Sequence, residues 1–260
     1  MFKLDQFMNK RILKSSFLDD EQVMAFFTTR DLPLKSGERD DLIEEVEANK
    51  KLICEGFNIP EENLIIPIQT HSDNIKIILT PHPLTLSPYH LDNVDALITN
   101  QPNIALALNF ADCVPIILYD PIQKVVAIAH AGWRGTAAKI ASKTVEKMIE
   151  NFAVKPQDII ALIGPCISKC CFEVKEEVAE RLLQTTSGWR DGNPALRDLT
   201  PHSSLNIDLK KINELQLLAS GVIKIDLCEY CTCCDSELFF SYRKENGKTA
   251  RHSAVIILNN

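Results

Sequence analysis

Four short apolar runs, at 95–99, 104–108, 114–119 and 125–129, follow one another with only brief polar breaks between them. Each is five or six residues long, which suits a strand and is too short for a helix. They read as strands buried in a sheet, and other segments supply the cover such strands need. Residues 40–57 carry Leu42, Ile43, Val46, Ile53 and Phe57 at roughly helical spacing. Residues 137–152 place Ala137, Ile140, Ala141, Val145, Met148, Ile149 and Phe152 on one helical face, opposite Lys139, Lys143, Glu146, Lys147 and Glu150. Segments 173–184 and 208–219 predict two more helices, and 64–68, 75–79, 159–163, 222–227, 238–242 and 254–258 predict further strands. The Pro81 and Pro83 pair predicts a turn, and 187–204, rich in Ser, Gly, Pro and Asp, predicts a long mobile loop. Strands and helices intermix without a repeat or a break in composition, so a single layered α/β domain over residues 1–260 is expected.

The charge balance narrows the partners. With 28 Lys and Arg against 35 Asp and Glu, the net charge of −7 argues against duplex nucleic acid, which calls for a basic face. A small anion held by a few local arginines remains compatible with it. The amino end, MFKLDQFMNKRILKSS, has neither a long apolar region nor a small-residue cleavage site, and no stretch is apolar enough to span a membrane. A cytoplasmic protein is expected. Nine cysteines without an export signal are expected to be reduced thiols, some of them metal ligands, rather than a disulfide framework. Nothing in the chain sets an oligomeric state.

Two strand tips carry the chemistry. Ala111-Asp112-Cys113 follows one apolar run, and His130-Ala131-Gly132-Trp133-Arg134-Gly135 ends another. His71, in Gln69-Thr70-His71, sits in a similar position upstream. One thiolate and two imidazoles match a zinc site with three protein ligands and an open fourth position. The spacings of 42 and 17 residues follow no short metal motif, so a Cys113 nucleophile with His130 as its base is an equally direct reading. The glycines at 132 and 135 let the backbone approach a ligand closely. Together with Arg134 and the start of the 137–152 helix they suit a phosphate or another oxyanion.

A resemblance sharpens these readings. The stretches QTHSDNI, DALIT, FADCVPIILYDP, VVAIAHAGWRGT, IGPCISKCCFEV, CEYCTCC and LFFSYRKENGKTAR resemble the laccase-domain (YfiH-like) family. Its members were first named multicopper polyphenol oxidases and later purine nucleoside phosphorylases. The resemblance runs from Thr28 to the carboxyl end. It implies a layered α/β sandwich with mixed sheets and one zinc held by His71, Cys113 and His130. It also implies phosphorolysis of adenosine, inosine and methylthioadenosine, with adenosine deamination beside it, so purine nucleosides and phosphate are the expected partners. Arg134, Gly135, Arg30 and Arg243 are the expected phosphate and substrate contacts. Asp112 is expected to act as a catalytic acid or base, or to orient a zinc ligand. Copper, which the older name suggests, fits six scattered histidines poorly. Competing readings are a cysteine-type amidohydrolase that edits peptidoglycan precursors, a copper-dependent polyphenol oxidase, and a non-catalytic binding module.

Three departures from the family pattern stand out. Asp31-Leu32-Pro33-Leu34 replaces a glycine pair after Arg30, which bears on that arginine. Thr249-Ala250-Arg251 carries alanine where glycine is usual, so Arg251 is expected to point elsewhere if the site demands a positive φ. Phe172 stands where tyrosine is common. Cys228, Cys231, Cys233 and Cys234 could make a second zinc site by count, but they crowd into seven residues, too close for the usual paired knuckles, and read as structural thiols, as do Cys166, Cys170 and Cys171. His82, His90, His202 and His252 join no constellation, and Trp133 reads as a core or hinge residue.

Overall fold

The computed structural model describes residues 1–79, 91–186, 197–199 and 205–259, with 197–199 described in backbone only. Among them the strands form two six-stranded mixed sheets and one small sheet. The first sheet runs β1 (Phe2–Phe7), β2 (Lys10–Ser15), β3 (Val23–Thr28), β15 (His252–Leu258), β7 (Ala105–Phe110) and β4 (Leu64–Ile65). The second runs β14 (Lys224–Leu227), β10 (Ile160–Ile163), β8 (Val114–Asp120), β9 (Val125–Ala131), β6 (Ala96–Thr99) and β5 (Ile75–Ile77). The small sheet joins β11 (Glu173–Val174), β13 (Leu205–Ile207) and β12 (Arg197–Leu199).

The two large sheets pack face to face. Phe27, Leu106, Leu108, Phe110 and Ile256 of the first meet Leu97, Ile117, Tyr119, Val126 and Ile128 of the second. The outer face of the second sheet is covered by α3 (Ile140–Phe152), α4 (Glu176–Leu183) and α5 (Leu209–Ala219). The outer face of the first is covered by α1 (Ile43–Phe57) and by Leu32 and Leu34. Strands covered on both faces need no polar alternation, which is why β7, β8 and β9 are buried at every position. Each large aliphatic side chain so buried is worth about 1.5–3 kcal/mol relative to exposure. Among the described residues no helix is long and apolar enough to cross a membrane.

Several expectations change. The 137–152 helix is two: α2 (Trp133–Ala137) and α3, separated by Lys139 at φ 59°. Helix α2 stops because the Thr136 carbonyl is taken by Lys139 N–H and by the Gln216 side-chain amide. Residues 238–242 are not a strand. The Asp235 carbonyl accepts from Leu238 and Phe239 N–H, and the chain coils there while Phe239 packs inward. Residues 173–174 are strand, and α4 begins only at Glu176. The hairpin β1–β2 goes unpredicted; its tight turn rests on Met8 and Asn9, both at positive φ. The predicted loop at 187–204 contains β12, and its other residues lie outside the described ones, as do the Pro81–Pro83 turn and His82, His90 and His202.

Candidate metal centre and cavity

His71, Cys113 and His130 occupy three chain segments that reach the same end of the sandwich. His71 lies in the passage from β4 in the first sheet to β5 in the second. Cys113 closes the passage from β7 in the first sheet to β8 in the second, and His130 is the penultimate residue of β9. Their ligand atoms all lie within 4.8 Å of one another. The imidazoles meet edge to face, with ring centroids 4.9 Å apart.

Two residues make this meeting geometrically feasible. Gly132 is the first: a Cβ at that position would stand 2.9 Å from Cys113 Sγ and 3.0 Å from His71 Cδ2. The second is Asp95, fully buried at the head of β6. One carboxylate oxygen lies 2.7 Å from His130 Nδ1 and accepts the His71 backbone N–H; the other accepts from Ser72 N–H and Oγ and from Thr70 N–H. A buried carboxylate needs such partners. Here they shape the His71 loop, including its φ of 63°, and leave His130 Nε2 for the Cys113 side. Asp95 is the functional residue that sequence reasoning missed. Its signal was present, as a carboxylate opening the otherwise apolar run DALIT.

The electrostatics follow from these contacts. Burial alone would raise Asp95, but hydrogen bonds from His130 and Ser72 hold its carboxyl down at about 2. Burial would likewise raise Cys113, yet the facing imidazoles of His130 and His71 bring it down to about 6. Burial would lower His130, but the Cys113 thiolate and Asp95 push it up to about 9. These directions favour a thiolate facing an imidazolium, a pair whose proton a bound cation would replace. Two imidazoles and one thiolate converging from three directions fit a metal ion with one coordination position left to the cavity.

That cavity holds about 520 Å³. His71, Cys113 and His130 lie on its wall with Ile167, Phe172 and Tyr242, and four cations line it: Lys35, Arg134, Arg243 and Arg251. Arg134 stacks on Trp133, its guanidinium carbon 4.4 Å from the ring centroid, and makes no ion pair among the described residues. It also lines an adjoining depression with Trp133 and Arg181. The Arg243 guanidinium donates to the carbonyls of Cys171 and Glu173, while its backbone N–H donates to Asp112 at 2.6 Å.

Other predicted residues are placed differently. Arg30 does not line the cavity. Its Nε donates to the carbonyls of Ser236 and Phe239, and its Nη2 pairs with Glu245 at 2.5 Å. The segment after it is anchored elsewhere: Leu32 and Leu34 are buried beneath the first sheet, and the chain next meets the cavity wall at Lys35. Gly135 does not line the cavity either. It is buried in α2, where a Cβ would meet the His130 carbonyl at 3.2 Å, so the position calls for close packing. The Asp112 carboxylate accepts from Thr232 Oγ1 at 2.7 Å and from Arg243 N–H, a holding role at the cavity wall. Arg251 does reach the cavity, because Ala250 is not among the residues at positive φ. His252 is buried beside Phe110 and Phe239, and burial holds it neutral, at about 3.

A helix-flanked β-sandwich with a His-Cys-His cluster on the wall of a cation-lined cavity defines a class of α/β proteins with a potential metal centre at that cavity. Residues 27–259 match the family described as multi-copper polyphenol oxidoreductase laccase, and the chain belongs to that family. It is 34% identical over 221 residues to "Purine nucleoside phosphorylase YlmD" of Bacillus subtilis, covering 82% of this chain and 77% of that protein. It is also 34% identical over 221 residues to "Adenosine deaminase RL5" from an unknown prokaryotic organism, covering 81% of each. The crystal structure of YlmD from Geobacillus stearothermophilus superposes with a TM-score of 0.86 at 31% identity, over 99% of both chains.

Proposed function

We propose that the chain is a zinc-containing purine nucleoside phosphorylase acting on adenosine, inosine and methylthioadenosine, with adenosine deaminase activity. The observation that carries this reading is the convergence of His71, Cys113 and His130 on a cavity that is lined by four cations in a chain of net charge −7. The family membership and the names of the relatives support it. Zinc suits the donor set with an open position; among the described residues no methionine lines the cavity to serve as the axial ligand of a copper electron-transfer site. When bound, the ion supplies Lewis acidity and lowers the pKa of water at its open position.

The side chains divide the remaining work. Phosphorolysis joins a phosphate oxygen to the anomeric carbon while the bond to the base nitrogen breaks, so phosphate must be held against the ribose. Arg134, with no ion pair among the described residues, is the leading phosphate contact, and Arg243, Arg251 and Lys35 add to the field. Phe172, Tyr242 and Ile167 offer apolar surface to the base. Asp112 acts as a positioning residue, tying Arg243 to the cavity wall. The test is adenosine supplied with and without phosphate. Adenine and ribose 1-phosphate are expected only with phosphate, and phosphate-independent turnover alone would sink the phosphorylase reading.

One observation favours a second reading. Cys113 as thiolate, His130 and Asp95 form a line of nucleophile, base and orienting carboxylate, the arrangement of a cysteine amidohydrolase. Amide hydrolysis by chelator-treated protein would support that reading over the first.

A further inference from the structure

The cysteines at 166–171 and those at 228–234 are not separate in space. Strands β10 and β14 are parallel neighbours, so both leave the second sheet at the same end. The pairing continues past them through the Cys166–Cys231 bridge. The chain after β10 then brings Cys170 and Cys171, and the chain after β14 brings Cys231 and Cys234, to one spot. Cys170 Sγ lies 3.6 Å from Cys171, 3.8 Å from Cys231 and 3.7 Å from Cys234, and Cys171 lies 3.4 Å from Cys234. All four sulfurs lie within 4.8 Å of one another. Four sulfurs at the corners of a tetrahedron, each about 2.3 Å from a central zinc, would stand about 3.8 Å apart.

Hydrophobic packing does not explain this cluster, because Cys170 and Cys234 are exposed. Nor are the sulfurs bonded to one another: all four cysteines are free thiols. The local backbone is shaped around them. Ser168 N–H donates to Cys231 Sγ at 3.3 Å, and the Asp235 carboxylate accepts the Cys231 N–H at 2.8 Å. Cys231 and Cys234 have the C-x-x-C spacing of a metal knuckle. The four cysteines crowded within 228–234 do not act as one ligand set. Cys228 and Cys233 are not in the cluster, and Cys170 and Cys171 replace them.

We propose that Cys170, Cys171, Cys231 and Cys234 form a second metal centre, a closed tetrathiolate site for one Zn²⁺. It would clamp segment 166–174 to segment 228–243. Those segments carry Ile167, Phe172, Tyr242 and Arg243 of the cavity wall, so the centre acts structurally behind the active cavity. Four thiolates fill a tetrahedral ion and leave no position for substrate.

Metal analysis of protein purified under reducing conditions tests this. Two zinc ions per chain are expected in the wild type, and one each in Cys113→Ser and in the double variant Cys170→Ser/Cys234→Ser. The two variants separate a failure of this site from a failure of the cavity site. Cobalt titration of chelator-stripped protein is expected to give a strong thiolate-to-metal absorption that the double variant loses and Cys113→Ser keeps. In the wild type and in Cys113→Ser alike, added Zn²⁺ is expected to protect Cys170 and Cys234 from alkylation. The proposal falls if the double variant keeps the wild-type zinc content, if zinc leaves the alkylation of both cysteines unchanged, or if mass spectrometry finds Cys171 and Cys234 joined as a disulfide.

Discussion

The two cysteine-bearing centres differ in what they leave open. The cavity centre gathers three donors, and the tetrathiolate cluster gathers four. The first draws its ligands from passages between sheets and fixes them with a buried carboxylate, Asp95. The second draws its ligands from two loops that follow parallel strands and fixes them to one another, supported by the Ser168 N–H on Cys231 Sγ and by the Asp235 carboxylate on the Cys231 backbone. An incomplete ligand set facing a cavity suits chemistry, because one position stays available. A complete set, none of whose members lines the cavity, suits mechanical closure. The distinction lies in the number and surroundings of the donors, since cysteine serves in both.

Cys113→Ala tests the open side of this contrast most severely. It removes the sole thiolate of the cavity centre, and the Lewis acidity at stake is worth several kcal/mol. A fall of about a thousandfold in kcat/KM for phosphorolysis is expected. The zinc content should drop by one, with the tetrathiolate metal retained. Full activity with unchanged zinc would remove the cavity centre from the mechanism.

Asp95→Asn keeps the shape and removes the charge that orients His130. Zinc affinity at the cavity centre is expected to weaken about 10–100-fold, measured by competition with a chromophoric chelator. Affinity at the tetrathiolate centre should not change. Equal weakening of both would show that Asp95 supports the fold as a whole rather than one site. Gly132→Ala approaches the same centre from the other side. Its methyl would stand 2.9 Å from Cys113 Sγ, and overpacking of this kind costs about 1–3 kcal/mol. About tenfold weaker zinc binding is expected from it. Gly135→Ala, packed on the His130 carbonyl, should lower Tm instead and leave zinc affinity within about twofold, since its neighbours are not ligand atoms.

The same contrast explains what could be read from the chain. The apolar runs at 95–131 announce strands because both of their faces are covered, and the residues that end them carry the cavity ligands. His71, Cys113 and His130 are therefore legible as polar tips on apolar runs. Their convergence is not, because it depends on which strands become neighbours. Asp95 escapes notice because a single carboxylate at a strand head looks like an ordinary boundary until its five polar contacts are seen. The tetrathiolate cluster is hidden more deeply: its two pairs lie about sixty residues apart and meet only because β10 and β14 are parallel neighbours. Arg30 shows the reverse error, since an arginine after a strand looks available until its donors are traced to Ser236, Phe239 and Glu245.

Arginines sharpen the comparison further at smaller effect. Arg134→Ala should raise KM for phosphate about fivefold to tenfold while kcat changes less, because it removes a charge-assisted contact made in ground and transition states alike. Zinc content should be unchanged. A KM for phosphate equal to that of the wild type would transfer the anion to Arg243, Arg251 or Lys35.

Arg30→Ala is expected to have the smallest kinetic effect, and it separates two ways of holding the same loop. The guanidinium gathers the 236–245 turn from one side, through two carbonyls and Glu245. The tetrathiolate centre holds the base of that turn at Cys231 and Cys234 from the other. Three contacts from a charged donor are lost, so a lower Tm is expected, on the order of 1.5–3 kcal/mol in stability per bond before the loop relaxes. If the metal clamp fixes the turn, Tyr242 and Arg243 stay in place and both KM values remain within about twofold of wild type. Stripping zinc from the tetrathiolate centre of the Arg30→Ala protein should then raise KM for nucleoside, while the same treatment of the wild type should change it less. Equal responses of the two proteins would mean that the turn is held by its own packing, through Phe239 in the core, and that the closed centre stabilises the chain without shaping the cavity.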